Sequence, residues 1–225
     1  MTLSGELVCL EACESKVAWD AQVPGELARK WIKWESQLPL NIPVPRALPK
    51  HRERISNIEL HCFGDASGRG NSAAVYAIVS QPPGDSVGLV AAKLRLTKQH
   101  ITIPRVERVS GHMATNLIVN VKESLEGFPV GKMFCLLDSS VALRWIKGSW
   151  SYKQFVCNRV HKFQQHPEVR WHHFSTKDDP ADLGSQSTSV QNEKLWWSGP
   201  HWLLERDLWP ADISTTSLEF TFQDH

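Results

Sequence analysis

From residue 58 the chain alternates, with Ile58, Leu60 and Cys62 on one side and Glu59, His61 and Phe63 on the other. A two-residue period of this kind predicts a half-buried β-strand. The run stops at Gly64 and Asp65 and passes into small residues. AAVYAIVS (73–80) and GLVAAKLRL (88–96) predict two further strands, separated by the turn-rich QPPGDSV. Connections this short imply an antiparallel meander. The period then changes: Val106, Val109, Met113, Leu117, Val121 and Leu125 recur at three- and four-residue steps. That spacing predicts a long helix opened by Pro104, with Glu107 in its first turn. MFCLLD (133–138) is a continuous apolar run, as expected of a strand covered on both faces. A short helix over Val141–Ile146, another over about 152–165, and a fifth strand, VRWHHF (169–174), follow. The polar loop STKDDP then leads into a helix starting at Ala181. Ahead of all these elements, ELARKWIKWESQL predicts one amphipathic helix, followed by the extended, proline-rich LPLNIPVPRALPK.

Three strands, helix, strand, helices, strand, helix is the order of an α/β domain. It predicts a mixed five-stranded sheet, an antiparallel meander of three strands plus two parallel strands, flanked by helices. With 225 residues, 41% of them hydrophobic and 22% charged, the chain can bury one substantial core and a small accessory piece. No apolar run is long enough to span a membrane, and MTLSGELVCLEACESK has no basic region ahead of an apolar stretch, so a secretory signal is not expected. Cys9, Cys13, Cys62, Cys135 and Cys157 form no CxxC pair, which argues against a zinc site or a disulfide framework. An intracellular protein, cytoplasmic or nuclear and without a small-molecule cofactor, is expected. Oligomeric state is not encoded in any of these features.

Net charge is +1, too little for a general attraction to nucleic acid, but its distribution is uneven. Ser139 to Pro167 contains no acid, while Arg144, Lys147, Lys153, Arg159 and Lys162 fall there, interleaved with Trp145, Trp150, Tyr152, Phe155 and Phe163. Basic groups among aromatics can grip a phosphate backbone. A solvated face on two ordinary helices accounts for the same pattern.

The acids stand in telling places. Asp65 and Asp138 each close an apolar strand, and open α/β sheets build their sites at that carboxyl edge. Glu107 can reach the edge from its helix, and Asp182 opens the last one. Individually these residues read as helix caps or favourable N-terminal charges. Together they would repel unless cations lay between them, and hard divalent ions prefer oxygen ligands.

FGDAS, ITIPRVE, LLDSS, LRWIKG, FVCNRV and DDPADLGS, in this order, resemble the ribonuclease H region of Bel/Pao-type retrotransposon polyproteins. In that family the FxDAS, IPRLEL, TDS and NPADLASRG segments carry an Asp–Glu–Asp–Asp set. The resemblance implies a ribonuclease H-like fold in which Asp65, Glu107, Asp138 and Asp182 are catalytic ligands of two Mg²⁺ (or Mn²⁺) ions. It further implies cleavage of the RNA strand of RNA–DNA hybrids. Ser67, Ser139, Lys147, Lys153, Arg159 and Lys162 are the candidate substrate contacts. The expected organisation is a connecting segment over residues 1–52, the ribonuclease H-like domain over 53–190, and a Trp-rich tail over 191–225. Trp196, Trp197, Trp202 and Trp209 are expected to pack that tail on the core, and His172 and His173 to be strand residues rather than a proton shuttle.

Departures from the family pattern support a rival reading. Gly111 costs about 1 kcal/mol of helix propensity relative to Ala, and Arg108 and His112 flank it. Leu137, Ser140 and Gln186 replace the common Thr, Gln and Arg. On that reading the chain is a domesticated, catalytically inactive module that binds nucleic acid or a host protein.

Overall fold

Two antiparallel pairings and two parallel ones build a single sheet of strand order β3-β2-β1-β4-β5. The computed structural model describes residues 3–44, 48–97, 103–147, 165–186 and 190–210, with backbone alone at 3, 103–108 and 144–147. The meander is β1 (Asn57–Ala66), β2 (Gly70–Gln81) and β3 (Gly84–Leu96), and the parallel half adds β4 (Val130–Leu137) and β5 (Val169–His173). Six α-helices are described: α1 (Leu3–Glu14), α2 (Gly25–Ser36), α3 (Ile103–Ser124), α4 (Ser140–Lys147), α5 (Pro180–Ser185) and α6 (Lys194–Ser198). The predicted mixed sheet is present, and the predicted second helix near 152–165 lies outside the described residues.

Strand alternation divides the core in two. Ile58, Leu60, Cys62, Val75, Ala77, Met133, Cys135 and Leu137 face α3, whose Met113, Ala114, Ile118 and Val121 complete that cluster. Phe63, Tyr76, Ile78, Phe134 and Leu136 face the other way, against Ala181 of α5 and against Trp196, Trp202 and Leu203. The tail from 190 to 210 therefore shares this face of the sheet with α5. Tyr76 Oη donates to the Trp196 carbonyl at 2.6 Å, fixing one end of it.

Four local expectations change. β1 is buried on both faces, not half-buried, because the tail covers Glu59 and His61. A burial cost for Glu59 is offset by Arg206, whose Nη2 lies 3.0 Å from Glu59 Oε2. The β2–β3 connection is a two-residue turn at Pro82-Pro83, closed by Gly84 at φ +141°, so QPPGDSV is largely strand. α3 begins at Ile103, which puts Glu107 in its second turn rather than its first. Finally, the N-terminal segment holds two helices: the apolar residues of α1 (LSGELVCLEACE) surround it without a periodic stripe, so pattern reading misses it. α1 rests on α2 where Gly5 meets the Trp34 ring, and Glu11 pairs with Lys30 at 2.6 Å.

Among the described residues no helix is long and apolar enough to cross a membrane. Cys9, Cys13, Cys62 and Cys135 are free thiols, the last two buried.

Candidate metal centre

Parallel pairing of β1 with β4 brings Gly64 into register with Leu137. The next residue along each strand is an aspartate, so Asp65 and Asp138 leave the sheet side by side. By alternation both follow the Phe63–Leu136 face, on which α5 packs. Asp179 caps α5: its Oδ1 accepts from the Ala181 amide at 2.8 Å, and Pro180 takes the first helical position. Carboxylate oxygens of Asp65, Asp138 and Asp179 all lie within 4.8 Å of one another.

Hydroxyl groups orient two of the three. Ser185 donates to Asp65 Oδ2, and Thr176 Oγ1 donates to Asp138 Oδ2 at 3.1 Å. His173 donates from Nε2 to the Asp138 carbonyl at 2.8 Å, holding the backbone of that residue.

Burial pushes the Asp179 carboxyl well above the usual carboxylate range, with the Asp65 charge the next cause and Asp138 and Asp182 adding to it. Asp65 is raised as well, first by burial and then by Asp138 and Asp182, while the Ser185 hydrogen bond works against the rise. In both cases burial and the neighbouring acids disfavour the charged form, an effect that a cation between the carboxylates would relieve. One oxygen makes the same point: Asp179 Oδ2 is buried with no hydrogen-bond partner. An all-oxygen, anionic donor set with an orphaned oxygen fits a hard divalent cation such as Mg²⁺ or Mn²⁺.

The residues singled out from sequence are placed as follows. Asp65 and Asp138 come together. Asp182, on the first turn of α5, is outside the group of three and accepts on Oδ1 from Gln186 Nε2. Its charge still reaches Asp65 and Asp179. Glu107 is described by its backbone alone, on α3, across the sheet from α5. α3 crosses β1 at Gly64, where an added Cβ would lie 3.3 Å from Ala114 Cβ and 3.4 Å from the Ser110 carbonyl. The acidic cluster thus lies at the carboxyl edge of β1 and β4, with α3 packed on one face of the sheet and α5 on the other. Ser67 Oγ donates to the Ser185 carbonyl at 2.8 Å and accepts from the Gly70 amide at 3.1 Å, latching the β1–β2 turn to α5. Ser139 Oγ accepts from the Ala142 amide at 3.2 Å and caps α4. Lys147 ends α4, described by its backbone, and Lys153, Arg159 and Lys162 lie outside the described residues.

Asp179 is the residue that sequence reading missed. An Asp before Pro-Ala is a helix-start signal, and a cap satisfies that signal completely. Only the fold reveals its second oxygen.

A model of the Pao retrotransposon-like RNaseH-like domain matches residues 1–139. The chain belongs to this family. The matched span contains Asp65, Glu107 and Asp138, and Asp179 and Asp182 lie beyond it. No curated protein matches the chain in sequence. Among solved structures, RNase H1 from the halophilic archaeon Halobacterium salinarum is 16% identical, covers 57% of this chain and 94% of its own, and has a TM-score of 0.37. LC11-RNase H1, solved in complex with an RNA/DNA hybrid, is 12% identical over 58% of this chain and 95% of its own, with a TM-score of 0.38. The foamy viral protease-reverse transcriptase dRH, in complex with double-stranded DNA, is 12% identical over 76% of this chain and 28% of its own, with a TM-score of 0.48. For a Pao-type RNaseH-like domain, the β3-β2-β1-β4-β5 sheet supplies the fold, and the aspartates at the ends of β1 and β4 supply the chemistry to be explained.

Proposed function

We propose that this domain is a divalent-metal-dependent ribonuclease that cuts the RNA strand of RNA–DNA hybrids. The observation that carries the reading is the convergence of Asp65, Asp138 and the buried Asp179 at the carboxyl edge of an RNase H-like sheet. Asp65 and Asp138 are the central metal ligands, with Glu107 and Asp182 completing the set from the two flanking helices. Bound Mg²⁺ or Mn²⁺, two ions on this reading, supplies a hydroxide-like nucleophile and charge stabilisation for the leaving 3′-oxygen. Ser185 and Thr176 aim the carboxylate oxygens and keep them from rotating away when phosphate arrives. Choice of the RNA strand comes from 2′-hydroxyls and backbone shape rather than base sequence. Lys147, Lys153, Arg159 and Lys162 supply backbone contacts from the acid-free stretch, and Ser67 and Ser139 stand beside the two ligand aspartates.

One observation favours a rival, a nucleic-acid-binding module without catalysis. Asp182 is outside the close group and is engaged by Gln186. Strand specificity separates the two readings. With Mg²⁺, the ribonuclease shortens the RNA of a labelled RNA–DNA hybrid, spares the DNA strand, and leaves duplex DNA intact. A module that binds the hybrid and cuts neither strand at any Mg²⁺ or Mn²⁺ concentration is the rival.

A further inference from the structure

Asp179 occupies a position where an aspartate ordinarily acts as a cap, and capping uses one oxygen only. Oδ1 takes the Ala181 amide at 2.8 Å. Oδ2 is buried without a hydrogen-bond partner, on a residue only 2% exposed. Asn or Ser caps a helix about as well as Asp, without burying a charge. Capping therefore explains Oδ1 and leaves the carboxylate itself unexplained.

Its surroundings make the charge harder still to account for. The Asp65 and Asp138 carboxylates lie within 4.8 Å. Among the described residues, none of the three forms an ion pair with Lys, Arg or His. Three acids this close, one nearly sealed from water, keep their charges together only with a cation among them; without one, a proton must neutralise part of the cluster.

We propose that Asp179 is an inner ligand of a cation site formed with Asp65 and Asp138, which takes up one hard divalent ion in the absence of nucleic acid. The proposal deepens the metal-centre reading above and rests on it. Two carboxylates alone give an oxygen site less ligand charge than three. A third, preset by its cap bond to Ala181, raises the ligand charge and rigidity that govern affinity in oxygen sites. Waters fill the remaining positions. Asp179 is held on α5 by the same short helix that carries Ser185, so the ligand and the hydroxyl orienting Asp65 move as one body.

The test uses the full chain, free of nucleic acid, titrated with Mn²⁺ and read by loss of the free-ion electron paramagnetic resonance signal. The parent should bind one ion per chain. Asp179→Asn and Asp179→Ser, both able to cap, should weaken that affinity at least about tenfold. Without metal, the variants should melt no lower than the parent, since the cap survives and a buried charge is gone. That pair of results separates ligand loss from misfolding. Parent-like Mn²⁺ affinity in both variants, alongside lost affinity in Asp138→Asn, overturns the role of Asp179 and leaves the metal centre standing. A parent that takes up no Mn²⁺ overturns both.

Discussion

The hydroxyl of Ser185 donates to Oδ2 of Asp65 across 120 positions of sequence. Ser67 in turn donates to the Ser185 carbonyl at 2.8 Å, so the end of α5, the end of β1 and the β1–β2 turn form one latched unit. Such partners orient ligands and tune affinity. Ser185→Ala should raise the Mg²⁺ concentration needed for half-maximal hybrid cleavage by about 10–100-fold. Metal-free thermal melting, measured alongside, should shift far less than the Mg²⁺ requirement does.

Close packing positions that unit. A Cβ at Gly184 would collide with the Ser72 side chain and lie 2.8 Å from Leu94 Cδ2. Gly184→Ala should lift α5 off β2 and β3, at a cost of about 1–3 kcal/mol, and carry Asp179, Asp182 and Ser185 away from Asp65. Urea denaturation measures the cost. The rise in melting temperature produced by millimolar Mg²⁺ should shrink in the same variant.

Much of this was legible in the chain because periodicity and strand ends report backbone geometry directly. Alternation located β1, three- and four-residue steps located α3, and the apolar run at 133–138 located β4. Asp65 and Asp138 followed, since a carboxylate that ends a buried strand has few places to go. Asp179 was not legible, because its local signal as a cap was already complete. The same holds for α1, whose apolar residues carry no period. Burial of Glu59 and His61 depends on a tail about 145 residues away in sequence, with Arg206 bonded to Glu59 across 147 positions. No local pattern reports such a contact.

His61 is 2% exposed, and neither ring nitrogen has a hydrogen-bond partner. It stacks on Phe134 with centroids 4.7 Å apart and meets the Trp209 edge at 4.7 Å. Burial lowers its pKa from 6.5 to about 3, and His172 and Arg206 add to the effect. The unfolded chain therefore binds a proton between these values that the folded chain refuses, so stability falls as pH drops below about 6.5 and is level above it. Between pH 7 and pH 5 this group should account for about 2 kcal/mol of lost stability. His61→Phe should remove that part of the slope in urea denaturation series run across this range.

Arg206 is half-exposed, whereas the Glu59 side chain it pairs with is almost fully covered. Arg206→Gln should leave a buried carboxylate short of a partner and cost about 1–3 kcal/mol. Replacing both residues, as Arg206→Gln with Glu59→Gln, should recover most of that loss, because the penalty belongs to the unpaired charge. A double-mutant cycle by denaturation reads the coupling.

The central claim is that the aspartates ending β1 and β4 hold the metal that cleaves RNA in a hybrid. It is tested most directly by following a labelled RNA–DNA hybrid with the parent and with Asp138→Asn, each assayed for cleavage in Mg²⁺ and for binding in its absence. The account predicts Mg²⁺-dependent shortening of the RNA strand by the parent. It predicts no shortening by Asp138→Asn, with hybrid affinity kept or increased because a negative charge beside phosphate is gone. Equal cleavage by the two proteins, or binding by the parent without cleavage in Mg²⁺ or Mn²⁺, would contradict it.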